Sequence, residues 1–432
     1  MKKKKIIKYI LLFIFFFLIL FLFGQDNTDN IWNYGVSHAL RMGELPYRDY
    51  NSITTPLYQF IMSIGLFIYD SYLTFIIEQS ILCVLLTIIV EKLVKKNTLV
   101  VLSISFFPLF YILFPNYNFL VILLLLYLLY LEKNNKSDKL IGIILGLLVL
   151  SKHTVGGCVL IFSLFATKDL KKSLNRLLFS LIPLSIFLIY LLITKTFFNF
   201  FDLCLFGLFD FASSNKFFSL FYTSIMIICL IYSIYSIIKK KDILNYYLLP
   251  SFTLLLPIID MFHSNYLILF FLIIIFTREP LINKTFPKRF GIILIIVTIF
   301  CNVFAYSTYN NLNLSTTGHM KYLLCSKERK QYIKNVLEKY NSYKNTCMLS
   351  MYSMYFDIES NKKITFFDIP LYGNFGYNGL NRMKDKIDNM HNTYIFVLDN
   401  ENRQYVNVLN DYVREKYPLI EKTEDMEIYY IK

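Results

Sequence analysis

Along the 432 residues, long apolar runs alternate with short lysine-rich connections as far as about residue 308, and shorter, more polar segments follow. Runs that approach the length needed to cross a hydrocarbon core of roughly 30 Å fall near 6–23, 72–91, 98–114, 118–131, 140–151, 155–167, 177–194, 218–238, 246–262, 264–277 and 290–306, about eleven in all. The 140–151 and 155–167 runs are short, and read as a tilted pair or a hairpin. Lys2 to Lys5 precede an apolar stretch, Ile6 to Phe23, interrupted only by Lys8, and no small-residue cleavage site follows it. It reads as an uncleaved first span rather than a signal peptide.

Cytoplasmic connections carry the excess of lysine and arginine, which orients the spans. Lys2 to Lys5, Lys92/Lys95/Lys96, Lys133/Lys136/Lys139, Lys168/Lys171/Lys172/Arg176, Lys239 to Lys241 and Arg278/Lys284/Lys288/Arg289 occupy alternate connections. The opposite side holds only Arg41, Arg48, Lys152, Lys195 and Lys216. The N-terminus is therefore expected in the cytoplasm of a multi-pass plasma-membrane protein, and an odd number of spans puts the C-terminus outside.

Two external parts follow. One is the loop 24–70, whose Pro56 to Tyr69 portion is apolar and reads as an interfacial or re-entrant helix. The other is a tail at 309–432, separate from the membrane domain at 1–308. Strand-like runs "TCMLSMY" (346–352), "KITFFDI" (363–369), "TYIFVLD" (393–399) and "MEIYYI" (426–431) accompany helix-like "RKQYIKNVLEKY" (329–340) and "QYVNVLNDYVREKY" (404–417). The expected fold class is a polytopic α-helical membrane protein with a small external α/β C-terminal domain.

Composition agrees. The chain is 56% hydrophobic and 18% aromatic, with a mean hydropathy of +0.49, beyond the range of a soluble domain. The formal net charge of +14 lies mostly in the inner connections, so it is no nucleic-acid footprint. Seven cysteines show no metal-binding spacing; Cys325 and Cys347 are a pairing candidate if the compartment oxidises thiols. "GNFGYNG" (373–379) lacks phosphate-loop spacing and reads as a turn.

The polar island in the first external loop carries the candidate chemistry. Asp26 and Asp29 stand just past the first span, where an ionised carboxylate faces lipid headgroups and can act as a general base. Asn30 to Met42 reads as a short amphipathic helix, with Ile31, Tyr34, His38 and Arg41 at spacings of three or four. Gly43 ends it, and Pro46 fixes a turn presenting Tyr47, Arg48 and Asp49. The bland alternative is an ordinary connection with solvated Arg48 and Asp49. Lys152 and His153, and likewise His263 and Asn265, fall at outer helix ends, where ionisable groups are costly and tend to mark function; snorkelling and capping are the competing roles.

"D…W.Y…AL..GELPYRDY……TPLY", from Asp29 through Tyr58, resembles the first external loop of GT-C glycosyltransferases, integral-membrane enzymes that use polyprenyl-phosphate-linked sugars. Within them it is most similar to the bacterial branch related to protein O-mannosyltransferases and aminoarabinose transferases. The resemblance implies an enzyme of cell-envelope polysaccharide or related biosynthesis, with a polyprenyl-phosphate sugar and a glycan, lipid or protein acceptor as partners. It implies Asp29 as catalytic carboxylate, with Asp26 as the second candidate and Asp49 as a supporting group. Many relatives have Asp-Glu where this chain has Asp29-Asn30, and some use the Asp to help hold a divalent cation. "LSKHTVGG" (150–157) and "DMFHSNY" (260–266) resemble family segments near the donor, so Arg48, Lys152, His153, Lys195, His263 and Asn265 are candidates for the donor phosphate or lipid.

The mechanism so implied is inverting transfer on the outer face. Cations stabilise the leaving phosphate while Asp29 takes the acceptor proton; the carboxylate pair of a glycosidase is not required. The rival classes are a lipid-linked sugar flippase or transporter, whose mid-membrane ionisable residues and inverted repeats are not evident, and an inactive membrane-anchored binding protein.

Overall fold

The computed structural model describes residues 2–23, 28–94, 115–167, 169–207, 313–314, 318–320, 323–350, 352–363, 375–377, 379–398 and 404–432, with single positions elsewhere. The spans expected at 98–114, 218–238, 246–262, 264–277 and 290–306 lie outside the described residues apart from isolated positions. The membrane part comprises α1 (Lys2–Phe23), α2 (Thr28–Arg41), α3 (Leu57–Leu66), α4 (Tyr72–Val94), α5 (Tyr117–Lys133), α6 (Asp138–Ser151), α7 (His153–Ala166), α8 (Leu170–Ile193) and α9 (Phe197–Phe201), which runs into a π turn at Asp202–Phe206. Of these, α1, α4 and α8 are long and apolar enough to cross a membrane. Helices α6 and α7 have 14 residues each, about 21 Å of helix, and fold back on each other at Lys152, as the two short runs suggest.

Side-chain distribution follows the lipid environment. Helix α1 buries Phe16 and Leu20 toward the α4 side and leaves Ile7, Leu11, Ile14 and Leu18 exposed; α8 exposes Leu178, Ile182, Ile186 and Ile189. Such apolar exteriors would be a liability in water and are at home in hydrocarbon. Where helices meet, glycine permits close approach. A Cβ at Gly146 would collide with the Ser180 carbonyl and with Pro183 of α8, and one at Gly142 with the Arg176 backbone. Gly156 does the same between α7 and Val149 of α6.

At one end of these helices, Arg176 is 3% exposed and holds four elements together. Its guanidinium donates to Glu132 Oε1 at 2.6 Å and Oε2 at 3.1 Å, to Asp138 Oδ1 at 2.8 Å and to Ser163 Oγ at 2.9 Å. A buried cation is tolerable because each lone pair facing it carries charge or a dipole. The opposite end gathers the start of α4, the start of α5, the α6–α7 turn and the end of α8, and there α3 packs against α2, α4, α5 and α6.

Helix α3 confirms the short helix expected in the first loop. It buries Tyr58, Gln59, Met62, Ser63 and Leu66, while Ile64, Phe67 and Ile68 stay exposed at its tip.

The tail contains β1 (Asn313–Leu314), β2 (Leu324–Cys325), α10 (Lys327–Asn341), β3 (Thr346–Leu349), α11 (Ser353–Glu359), α12 (Gly379–Asp388), β4 (Thr393–Leu398), α13 (Gln404–Lys416), β5 (Leu419–Lys422) and β6 (Met426–Ile431). Strands β3 to β6 form one sheet in the order β3-β4-β6-β5, with β3 and β4 parallel and the other pairs antiparallel. Strand alternation sends Met348, Phe396 and Ile428 to a core shared with Ile333, Val336 and Tyr340 of α10. Cys347, Ile395, Val397 and Tyr429 go to a second core with Met383 of α12 and Leu409 and Val413 of α13. The run expected as a strand over 346–352 ends at Leu349, and α11 begins at Ser353. Most of the strand expected at 363–369 lies outside the described residues. Cys325 and Cys347 are both buried and are not joined to each other.

Candidate active site

Asp29 lies in the first turn of α2, where a carboxylate is favoured by the helix dipole, and it is exposed. Its neighbour points the other way, since consecutive helical residues are about 100° apart. Asn30 is 1% exposed; its Nδ2 donates to the Tyr72 hydroxyl at 2.6 Å, and its Oδ1 accepts from Gln79 Nε2 at 2.8 Å. The same Gln79 amide donates to the Pro115 carbonyl at 2.7 Å, which also accepts from the Tyr58 hydroxyl at 2.6 Å. The asparagine that replaces the second carboxylate of the resemblance is thus a packing residue beneath Asp29.

Lys152, at the α6–α7 turn, reaches the same neighbourhood. Its Nζ donates to Asn118 Oδ1 at 3.0 Å and lies 5.6 Å from the Tyr117 ring centroid. That ring in turn meets Trp32 edge-on at 6.4 Å, one helical turn beyond Asp29. His153 sits near the backbone of Cys204, and its ring nitrogens make no well-formed hydrogen bond.

The "GELPYRDY" segment folds as a closed turn. Gly43, at φ +83°, ends α2, and Glu44 N donates back to the Ala39 carbonyl at 2.9 Å. Tyr47 adopts φ +69°, a left-handed conformation unusual for a bulky residue. The compensation is its side chain, buried among Leu191, Leu203 and Cys204, whose hydroxyl donates to the Thr54 carbonyl at 2.7 Å. Its carbonyl accepts from Asn199 Nδ2 at 2.8 Å. With Tyr47 turned inward, Arg48 and Asp49 point outward. Asp49 Oδ2 accepts from Leu45 N at 2.8 Å and from Arg48 Nη2 at 2.7 Å. The Arg48 guanidinium is the main reason the Asp49 carboxyl lies below the usual range.

Beside this turn a polar cavity opens, lined by Arg48, Asn51, Asn199 and Asp202 of the membrane part and by Phe375, Arg382 and Lys386 of the tail. Arg382 pairs with Asp202, whose Oδ1 also accepts from Tyr377 N at 3.2 Å. Within "GNFGYNG" the described residues 375–377 form a turn, and the anion that Tyr377 N meets is a carboxylate of this same chain. Burial, reinforced by Arg382, pushes Lys386 down to about 8.

Lys195 is exposed and follows Thr194, the C-cap of α8, in a left-handed conformation at φ +58°. Asp26, His263 and Asn265 lie outside the described residues. Periodicity did not single out Arg382, Lys386, Asn199 and Asp202, nor a buried cluster in which Asp70 meets His38, Arg41 and His319. His38 and Arg41 were visible in the sequence as one face of α2. Burial tends to raise the Asp70 carboxyl, but its His38 hydrogen bond and the surrounding cations hold it below its ordinary range. Among the described residues, this cluster is the three-donor set able to hold a metal; Asp29 belongs to no such set.

No protein-family model matches the sequence, and no curated protein matches it. Solved structures do. ArnT from Cupriavidus metallidurans bound to undecaprenyl phosphate superimposes with a TM-score of 0.56 at 8% identity, over 99% of this chain and 98% of that one. Its apo state gives a TM-score of 0.52 with the same identity and coverage. The resemblance read from the first external loop is matched at the level of the fold: over nearly its whole length, this chain has the architecture of ArnT.

Proposed function

We propose that this protein is a membrane glycosyltransferase that moves a sugar from a polyprenyl-phosphate donor to a cell-envelope acceptor at the outer face of the plasma membrane. The observation that carries the reading is the full-length likeness to a structure holding undecaprenyl phosphate, joined to an acidic and basic side-chain set at one end of the helices. The finer plan belongs to the same proposal: about eleven spans, a cytoplasmic N-terminus, and a tail at 309–432 outside the membrane.

Asp29 acts as general base in this reading. It is exposed on a helix whose other face is fixed by Asn30, so it can reach an acceptor hydroxyl without rearrangement of the core. Lys152, with Arg48 across the Tyr47 anchor, faces the leaving phosphate, where fixed cations gain strength as negative charge develops, and His153 stands next to Lys152 as an uncharged hydrogen-bonding group. Arg382 and Lys386 add positive charge to the cavity beside Arg48, which suits the phosphate or an anionic acceptor. Lys195, His263 and Asn265 are the further candidates for holding the donor phosphate or lipid. Attack opposite the phosphate inverts the anomeric centre. A divalent cation held with the help of Asp29, as the resemblance allows, would add to the positive charge facing the phosphate.

The test is incubation of purified protein in lipid nanodiscs with a panel of synthetic polyprenyl-phosphate sugars and envelope-derived acceptors. Sugar-linked product together with free polyprenyl phosphate is expected for at least one donor. Donor movement across sealed vesicles with no transfer from any donor would replace the reading with a flippase.

A further inference from the structure

We propose that His38, Asp70 and His319 form a transition-metal site of the zinc class that fastens the tail to the first external loop. The site does not depend on the assigned reaction. It joins the last turn of α2, the residue two before α4 and a tail residue 249 positions from Asp70.

The donor spacing fits a metal. Asp70 Oδ2 is 2.9 Å from His38 Nδ1 and 3.5 Å from His319 Nδ1. Ligand bonds of roughly 2.0 Å in a tetrahedron set donor–donor distances of about 3.3 Å, between those two values. The imidazoles meet edge-on with centroids 5.2 Å apart, and one ligand atom from each of the three residues lies within 4.8 Å of the others. A second, independent observation is the state of Asp70. Its side chain is 5% exposed, and Oδ2 is buried without a well-aligned donor although three nitrogens stand within 3.5 Å.

The surroundings orient the ligands. Asp70 Oδ1 accepts from the Tyr34 hydroxyl at 3.2 Å, the kind of outer contact that fixes a ligating carboxylate. The His319 carbonyl accepts from Tyr72 N at 3.0 Å, and Met320 N donates to Glu359 at 2.6 Å, so the histidine is held from both sides. Two imidazoles and one carboxylate favour zinc, cobalt or nickel over magnesium or calcium. Arg41 Nη1, 3.2 Å from Oδ2, supplies the positive charge when no ion is bound. Its side chain is 35% exposed and can swing into solvent when the ion arrives, while His319 exchanges its 3.0 Å contact with the Asp70 carbonyl for the metal. The site lies nine residues along α2 from Asp29, about 13 Å, which makes it a fastening rather than part of the reacting centre.

The experiment is zinc and cobalt titration of the chelator-stripped full chain in nanodiscs, with bound metal counted by mass spectrometry and Co²⁺ geometry read from its visible absorption. About one ion per chain and a tetrahedral cobalt spectrum are expected, with affinity lowered roughly a hundredfold in Asp70→Asn and His319→Gln. Should those variants fold poorly, Arg41→Gln decides, because removing the competing cation must leave zinc affinity unchanged or raised. Absence of stoichiometric zinc in the wild type, wild-type affinity in Asp70→Asn, or weakened binding in Arg41→Gln overturns the proposal.

Discussion

Substitutions at Tyr47 separate the two forces that shape the turn carrying Arg48 and Asp49. Its side chain is 3% exposed and its backbone sits at φ +69°. Tyr47→Phe removes only the hydroxyl that donates to Thr54 O; Ser52 Oγ, 3.2 Å from that carbonyl, keeps it partly satisfied. The loss should be near the lower end of a buried hydrogen bond, about 1 kcal/mol. Tyr47→Ala and Tyr47→Gly both forfeit the ring, at about 3–5 kcal/mol. They differ in the backbone. Glycine is normally the less stable of the two, but at a left-handed position it is favoured by about 1 kcal/mol. Thermal unfolding of the purified protein in detergent should therefore rank wild type first, then Phe, Gly and Ala. An alanine variant as stable as the glycine variant would refute the claim that buried packing of Tyr47 imposes this conformation.

Arg176→Met should destabilise by about 3–5 kcal/mol by stranding buried Glu132, and Arg176→Met with Glu132→Gln should recover part of that loss in the same assay. Gly146→Leu places a side chain where the Ser180 backbone and Pro183 stand, so α6 and α8 must part; the expected result is loss of folded protein on size-exclusion chromatography. In the tail, burial works against the Glu427 carboxylate, but hydrogen bonds from Lys422, Arg414 and Tyr429 hold it down to about 2. Because the folded value is the lower one, this group's stabilisation is present above the ordinary glutamate range and disappears as pH falls from about 4.5 to about 2. Glu427→Gln should flatten that part of the wild-type stability–pH curve. Lys152→Ala should raise the KM for the lipid donor more than it lowers kcat; an unchanged donor dependence would leave Lys152 a snorkelling side chain.

Much of this arrangement was legible because it is local. Apolar run lengths located α1, α4 and α8, while glycine and proline chemistry located the turn at 43–49. Alternation located β4 and β6. The turn's interior was not legible: nothing in "LPYRDY" says that Tyr47 rather than Leu45 is the anchor, since the choice is made by Leu191, Leu203 and Cys204 arriving from α8 and beyond. The opposite fates of Asp29 and Asn30 also depend on which face of α2 meets Tyr72 and Gln79. Helix α12 was hidden by the glycines before it, which suggested only a turn. The Asp70 cluster required a histidine from the far end of the chain, beyond the reach of any periodicity.

The central claim is tested most directly by sugar transfer from polyprenyl-phosphate donors, comparing wild type with Asp29→Asn in nanodiscs at matched insertion. Removal of a general base predicts a loss in turnover on the order of 10² to 10⁴ while the variant remains folded. Transfer by Asp29→Asn at the wild-type rate would contradict it.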